Sequence, residues 1–201
     1  MVQKKAVMNT QSLEDKFKEN DLLQKREQYS KKRKDIIGKL IKIPADCRKH
    51  HTYKKDILQE MNPKKSYFLY GESGRGKSVL ASSWCKQLIR KNILFKWINY
   101  AKLSSKIKSS FQSHESYYEI ITDISEYPGY VILDDMASES NSPIIQEATY
   151  VIINDRCENN RPVLITSNKP LEVYDTRIAS RIAGMCIVYE FVGADRRLGD
   201  E

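Results

Sequence analysis

Two hydrophobic rhythms divide the chain. Between Ser12 and about Ile41, Leu13, Phe17, Leu22, Leu23, Tyr29, Ile36, Ile37 and Leu40 recur at roughly helical spacing. Ser12 with Asp15 resembles an N-terminal cap pair. The stripe is sparse and is broken by Lys31-Lys32-Arg33-Lys34. Such a helix is either a solvated amphipathic surface or an arm that folds on a partner, and the weak stripe favours the arm. Ile43-Pro44 ends it.

The second rhythm starts at residue 66, where short continuous apolar runs alternate with helical patterns. Tyr67–Tyr70 is predicted as a strand that ends in a glycine loop. Val79–Arg90 follows as a helix with Leu80, Trp84 and Leu88 on one face, then Ile93–Asn99 as a strand. Two short helices are expected at Ala101–Phe111 and Ser116–Tyr127, and Tyr130–Leu133 is a third strand running into Asp134-Asp135. Ser142-Pro143 opens a helix with Pro at its first position. Pro162–Ile165, a helix over Tyr174–Ile182 and a strand over Cys186–Val192 complete the series. Apolar strands alternating with helices predict an α/β fold, a five-stranded parallel sheet flanked by helices. The domain reading is a basic helical arm at 1–43 and a folded domain at 44–201.

Composition narrows the class. With 40% hydrophobic and 30% charged residues the chain suits a soluble globular protein. No apolar run approaches a bilayer span, and Met1–Thr10 lacks the apolar stretch of a secretory signal, so a cytoplasmic protein with no membrane partner is expected. Cys47, Cys85, Cys157 and Cys186 are far apart and form no CxxC pair, which indicates neither a disulfide framework nor a zinc site. Charge is uneven. Residues 1–55 hold 16 of the 34 basic and 7 of the 26 acidic residues, a net of +9, leaving 18 and 19 for the remainder. Such asymmetry points to nucleic acid or an acidic protein surface as partner.

The chemistry lies in the loops after the strands. Gly71-Glu72-Ser73-Gly74-Arg75-Gly76-Lys77-Ser78 matches G-x-x-x-x-G-K-[ST], between a predicted strand and a predicted helix. The glycines let backbone N–H groups turn inward on phosphate oxygens, Lys77 offers a point charge, and the Ser78 hydroxyl is a Mg²⁺ ligand. Val79, next in the chain, is placed with this ATP-binding set. Asp134 and Asp135 arrive at the end of an apolar strand, the first suited to hold Mg²⁺ and the second to orient or deprotonate an attacking water. Thr166-Ser167-Asn168 ends the fourth strand, where Asn168 is assigned to the attacking water. Arg177 and Arg181 lie one helical turn apart and share a face. Spacing alone leaves an arginine finger and surface salt bridging equally open.

These motifs resemble a known family, the DnaC/DnaI-type replicative helicase loaders and their relatives, the IstB-like transposition ATPases. The likeness covers about residues 44–198. It rests on GESGRGKS, VILDDM, Ile152–Arg156 with Arg161–Asn168, Thr176–Ile182 and the closing Phe191–Arg197. The resemblance implies an AAA+ ATPase fold, ATP and Mg²⁺ as cofactors, and hydrolysis used as a switch. It also implies a hexameric replicative helicase and single-stranded DNA as partners. Arg181 would then be the arginine finger given to a neighbouring copy in an ATP-dependent homo-oligomer, with Arg177 its structural companion. Arg197 would be a second sensor of the nucleotide, and Arg156 a weaker candidate for contact across subunits.

The same likeness makes the two helices after the second strand a DNA-touching insertion. Lys102, Lys106 and Lys108 would serve as phosphate contacts there, while Tyr117 and Tyr118 read more readily as core than as base-stacking residues. The 33 residues after Asn168 give the expectation of a lidless domain without a C-terminal DNA-binding module. The basic arm lacks the zinc ligands of DnaI-type N-terminal domains, so helicase docking is expected to be reduced or different. Two alternatives stay open: a transposition helper acting on duplex DNA, and a non-hydrolysing adaptor or inhibitor of a host helicase or loader. An aspartate at 135, where the family mostly has glutamate, leaves room for the latter.

Overall fold

Apolar runs and the glycine and proline positions between them set the architecture. The computed structural model describes residues 43–52, 54–111, 116–136 and 142–195. All fall within the unit Lys42–Glu201, so the expected arm, Ile43 apart, lies outside the described residues, as does Arg197.

Two short helices, α1 (Ala45–Lys49) and α2 (Lys55–Glu60), precede the sheet. The alternating series then follows: β1 (Ser66–Tyr70), α3 (Lys77–Arg90), β2 (Phe95–Asn99), α4 (Tyr100–Ser110), α5 (Tyr117–Ser125) and β3 (Tyr130–Asp134). It continues with α6 (Pro143–Glu158), β4 (Val163–Ser167), a 3-10 turn (Leu171–Val173), α7 (Thr176–Met185) and β5 (Cys186–Glu190). The five strands pair in parallel in the order β2-β3-β4-β1-β5. The α/β fold with a five-stranded parallel sheet is therefore as expected. No helix among the described residues is long and apolar enough to cross a membrane.

Alternation along the strands decides which helix covers which face. Phe68, Val131, Leu133, Val163 and Ile165 join a cluster with α4, α5, α6 and α7, including Leu103, Ile107, Ile124, Ile152 and Ile182. Across the sheet, α3 buries Leu80, Ala81, Trp84 and Leu88, and Trp84 meets Tyr67 and Tyr130 edge-on. Central strands β1, β3 and β4 are buried almost throughout, whereas edge strand β5 leaves Ile187 and Val188 exposed.

Several boundaries differ from the expected ones for local reasons. Strand β2 begins at Phe95 because the Leu94 carbonyl accepts from Tyr130 N at 2.8 Å, closing the approach to β3. Helix α7 starts at Thr176 because the Asp175 carboxylate caps it, accepting from Arg177 N at 3.0 Å, with the 3-10 turn taking up the preceding residues. Helices α1 and α2 carry no periodic apolar stripe, and α2 buries no residue, so no pattern announced them.

Arg156 has a different place from the one expected. It is fully buried, and its guanidinium donates to five carbonyls: Ile124, Ser125 and Tyr127 from Nη1, Gly129 and Pro162 from Nη2, at 2.8–3.3 Å. A side chain so enclosed has no reach across a subunit boundary. It ties the end of α5 to the starts of β3 and β4, and Arg161 adds a bond to Ser125 O at 3.0 Å. Burial pulls its pKa down to about 10, which keeps it charged at neutral pH. Substitution R156M strands these carbonyls in the interior, and urea unfolding at pH 7 is expected to show a loss of about 3–5 kcal/mol.

Candidate functional site

Parallel register brings three loops to one edge of the sheet. Tyr70 of β1 pairs with Ser167 of β4, and Leu133 of β3 pairs with Ile165 of β4. Gly71, Asn168 and Asp135, each the first residue past its strand, therefore emerge side by side at the carboxyl ends. Ligands of open parallel sheets bind at that end.

The loop 71–76 is built on positive φ. Gly71 (φ 136°) abuts the Phe191 backbone, where a Cβ would fall 2.3 Å from the carbonyl oxygen. Gly74 (φ 75°) packs against the Asp195 carboxylate, where a Cβ would fall within 1.7 Å of an oxygen. A side chain at Gly71 would strike backbone, and at both positions the positive φ is strained for any residue but glycine. The loop delivers the N-terminus of α3, whose backbone dipole favours an anion. Glu72 and Ser73 are exposed at its tip, and Arg75 pairs with Glu72. Val79 follows, half-buried, within α3.

Lys77 is 7% exposed, and its ammonium donates to Gly71 O at 2.6 Å, Glu72 O at 2.7 Å and Asn168 Oδ1 at 2.9 Å. Asn168 in turn donates from Nδ2 to Asp135 Oδ1 at 3.0 Å. Asp135 adopts φ 59°, a left-handed conformation that aspartate tolerates better than most residues, and its N–H donates to Thr166 Oγ1 at 2.8 Å. The backbone turn thus points this carboxylate at Asn168.

Asp134 is buried at 4% exposure beneath these groups. Its Oδ1 accepts from Ser78 Oγ at 2.7 Å and from Thr166 Oγ1 at 2.8 Å. Burial raises its pKa above the ordinary value, opposed by the Ser78 and Thr166 hydrogen bonds and by Lys77, while Asp135 adds to the rise. A hydroxyl and a carboxylate side by side, short of compensating cationic charge, form an oxygen donor set suited to Mg²⁺. Thr166 was not singled out from the sequence. Its signal was a pair of buried polar residues, Thr166 and Ser167, closing an otherwise apolar strand.

The two arginines of α7 have different surroundings. Arg177 bonds Asp175 Oδ1 at 3.2 Å, approaches Glu147 Oε2 at 3.5 Å and lies over the Tyr150 ring at 4.8 Å. Arg181 comes within 3.8 Å of Glu158, a distance and exposure that contribute little stability.

Lys102, Lys106 and Lys108 are exposed on α4. Lys102 and Lys106 share a face, but Lys108 lies about 200° further round from Lys106, so the three form no single patch. Tyr118 is 77% exposed, not core, and meets Tyr117 at 5.5 Å between ring centroids. Tyr117, half-buried, also contacts the exposed Phe111 at 5.6 Å.

Known structures repeat this fold. DnaI has 23% identity and a TM-score of 0.57, with 71% of this chain and 80% of that chain covered. The DnaC helicase loader has 20% identity and a TM-score of 0.59, with 71% and 93% covered. AMPPCP-bound DnaA from Aquifex aeolicus has 16% identity and a TM-score of 0.57, with 68% and 44% covered. At these identities the likeness establishes the AAA+ fold. No curated protein sequence matches the chain. The profile of the IstB-like ATP binding proteins matches residues 48–185, which include the glycine loop, both aspartates, Asn168 and the two arginines of α7. The chain belongs to the IstB-like ATP binding protein family.

Proposed function

We propose that the chain is an ATPase of the helicase-loader kind. It binds ATP with Mg²⁺, assembles through Arg181 and places a hexameric replicative helicase on single-stranded DNA, with hydrolysis as the switch. The observation that carries the ATPase reading is the path from Lys77 through Asn168 to Asp135, beside the Ser78–Asp134–Thr166 cluster. The loader reading is supported by the likeness in fold to DnaI and the DnaC helicase loader.

Lys77 gives its three protons to Gly71 O, Glu72 O and Asn168 Oδ1. Triphosphate oxygens compete for that ammonium with full negative charge, so they win it from the neutral acceptors. Asn168 Oδ1 is then free to accept from a water, while its Nδ2 stays on Asp135. Asp135 orients that water and takes its proton. Ser78 and Asp134 would hold Mg²⁺, which when bound neutralises charge on the phosphates.

Arg181 acts on a neighbouring copy for a topological reason. Helix α6 starts past the carboxyl end of β3, at the nucleotide edge, and ends before β4, at the opposite edge. Its 16 residues span on the order of 24 Å. Arg181 lies against Glu158, the last residue of α6, and so away from its own phosphates. Assembly brings it to another site. Arg197 is kept as the second sensor, and Lys102 and Lys106 as contacts for DNA phosphates, with Lys108 on the other flank of α4. The basic arm, 1–43, docks on the helicase. The protein works in the cytoplasm.

A transposition helper that acts on duplex DNA is the second reading, favoured by the family match. Light scattering of the chain mixed with the replicative helicase of its host, with and without ATP, separates the two. The loader reading expects a complex that is lost when residues 1–41 are removed, and preference for single over double strands. Absence of any complex, with tight duplex binding, sinks it.

Two variants test the site. R181A is expected to keep its ATP affinity and lose about 10³-fold in assembly-stimulated turnover, read by phosphate release. D134N is expected to abolish the Mg²⁺ dependence of nucleotide affinity while raising apo stability at pH 7 by about 1 kcal/mol. The sign follows from linkage: the raised folded pKa means the native state holds the proton more tightly than the unfolded chain. The wild type therefore loses stability as pH climbs from 3.8 through the folded value, and the gap between the proteins closes in acid. Urea titrations at several pH values read that gap.

A further inference from the structure

Between the nucleotide site and the arginines of α7 stands one tyrosine hydroxyl with more oxygen neighbours than protons. Tyr174 follows the 3-10 turn and lies two residues before α7. Its ring meets Phe68 of β1 edge-on, with centroids 6.3 Å apart. Its hydroxyl reaches the carbonyl of Met136, the residue after Asp135, and also lies 2.6 Å from Ser167 Oγ. Ser167 Oγ is in turn 2.6 Å from Lys169 O. Met136 is itself pinned, since its N–H donates to Thr166 O at 2.8 Å.

This is a row of four oxygens: Met136 O, Tyr174 Oη, Ser167 Oγ and Lys169 O. The two carbonyls only accept, and each hydroxyl has one proton to give. Three gaps share two protons, so one gap always sets lone pair against lone pair. Three relaxed arrangements follow, and in the first Tyr174 donates to Met136 O and Ser167 to Lys169 O, which leaves the middle gap bare. In the second, Tyr174 donates to Met136 and Ser167 donates to Tyr174, which ties the approach to α7 to the acidic turn and leaves Lys169 O without the Ser167 proton, while the Lys169 N–H still donates to Ser167 Oγ at 2.8 Å. In the third, Tyr174 donates to Ser167 and Ser167 to Lys169 O, which ties it to the turn carrying Asn168 and releases Met136 O. Burial pushes the Tyr174 pKa up to about 12, so the hydroxyl stays a donor across the working pH range.

We propose that Tyr174 is a positioning residue whose hydroxyl couples the nucleotide site to α7 by exchanging partners between the Met136 carbonyl and Ser167. The coupling rests on the reading of the site as an ATP site. Asn168 lies between Ser167 and Lys169, so the pull of phosphates on Lys77, and through it on Asn168, acts on the same turn. A shift of that turn selects one arrangement, and Tyr174 passes the choice to α7, three residues before Arg177. The ring contributes packing, which a phenylalanine preserves.

Hydrogen exchange read by mass spectrometry on the full chain, with and without MgATP, tests this. In the wild type, nucleotide is expected to slow exchange at 71–78 and to change it at 176–185. In Y174F the first response and the ATP affinity are expected to stay within about twofold, the second to vanish, and kcat to fall about tenfold at unchanged KM. S167A should give the same loss, and the double variant no further loss. Two results would overturn the coupling with the ATP site intact: a Y174F chain that keeps the response at 176–185, or a wild type protected only at 71–78. Loss of both responses in Y174F with a lowered melting temperature would assign the hydroxyl to stability alone and overturn it too. A wild type unprotected at 71–78 would remove the ATP-site reading and this inference together.

Discussion

The insertion of β4 between β1 and β3 is the constraint on which the site depends. Neighbouring parallel strands stand about 4.8 Å apart, so the glycine loop and the acidic turn are separated by two strand spacings. The end of β4 fills that gap. Here Thr166 reaches Asp134 from below while Asn168 joins Lys77 to Asp135 from above. The central strand thus supplies both the support for the buried carboxylate and the link between the two charged halves. Register fixes this: one residue of slip exchanges the faces of β4 and puts Thr166 out of reach.

A second constraint acts at the other end of the sheet. Arg156 gathers five carbonyls where α5, β3 and β4 meet, and no apolar side chain can satisfy them. The buried guanidinium carries a desolvation cost that its hydrogen bonds offset, and what it gives in return is a fixed starting point for β3. The position of Asp134 at one end of that strand is set in part by an arginine at the other.

The sequence exposed the parts of the molecule that are local. The glycine loop and the paired aspartates are contiguous motifs whose flanking strand and helix are strongly apolar, so fold class and the outline of the site could be read before any coordinates. Asn168 was legible because it ends a strand in turn chemistry. Arg156 was misplaced because a charged residue on a helix reads as surface, and only tertiary packing shows the carbonyls that enclose it. Tyr118 was misjudged in the opposite direction: two tyrosines on a helix read as core, yet the start of α5 turns Tyr118 to solvent. Thr166 and Tyr174 act through partners more than 30 residues away, which no periodicity encodes. Lys108 was grouped with Lys102 and Lys106 by nearness in sequence, which a helix does not respect.

The pairing of β1 with β5 has a consequence for how the protein is born. Residues 66–70 lie against residues 186–190, and the Phe191 N–H closes on Tyr70 O at 2.7 Å beside Gly71. The strand that launches the phosphate loop is thus flanked by nearly the last described part of the chain. During synthesis the loop leaves the ribosome long before its neighbour exists, and such distant pairings form slowly. The glycine loop gains its Phe191 neighbour only once residue 191 has emerged, by which time the arginines of α7 have also been made.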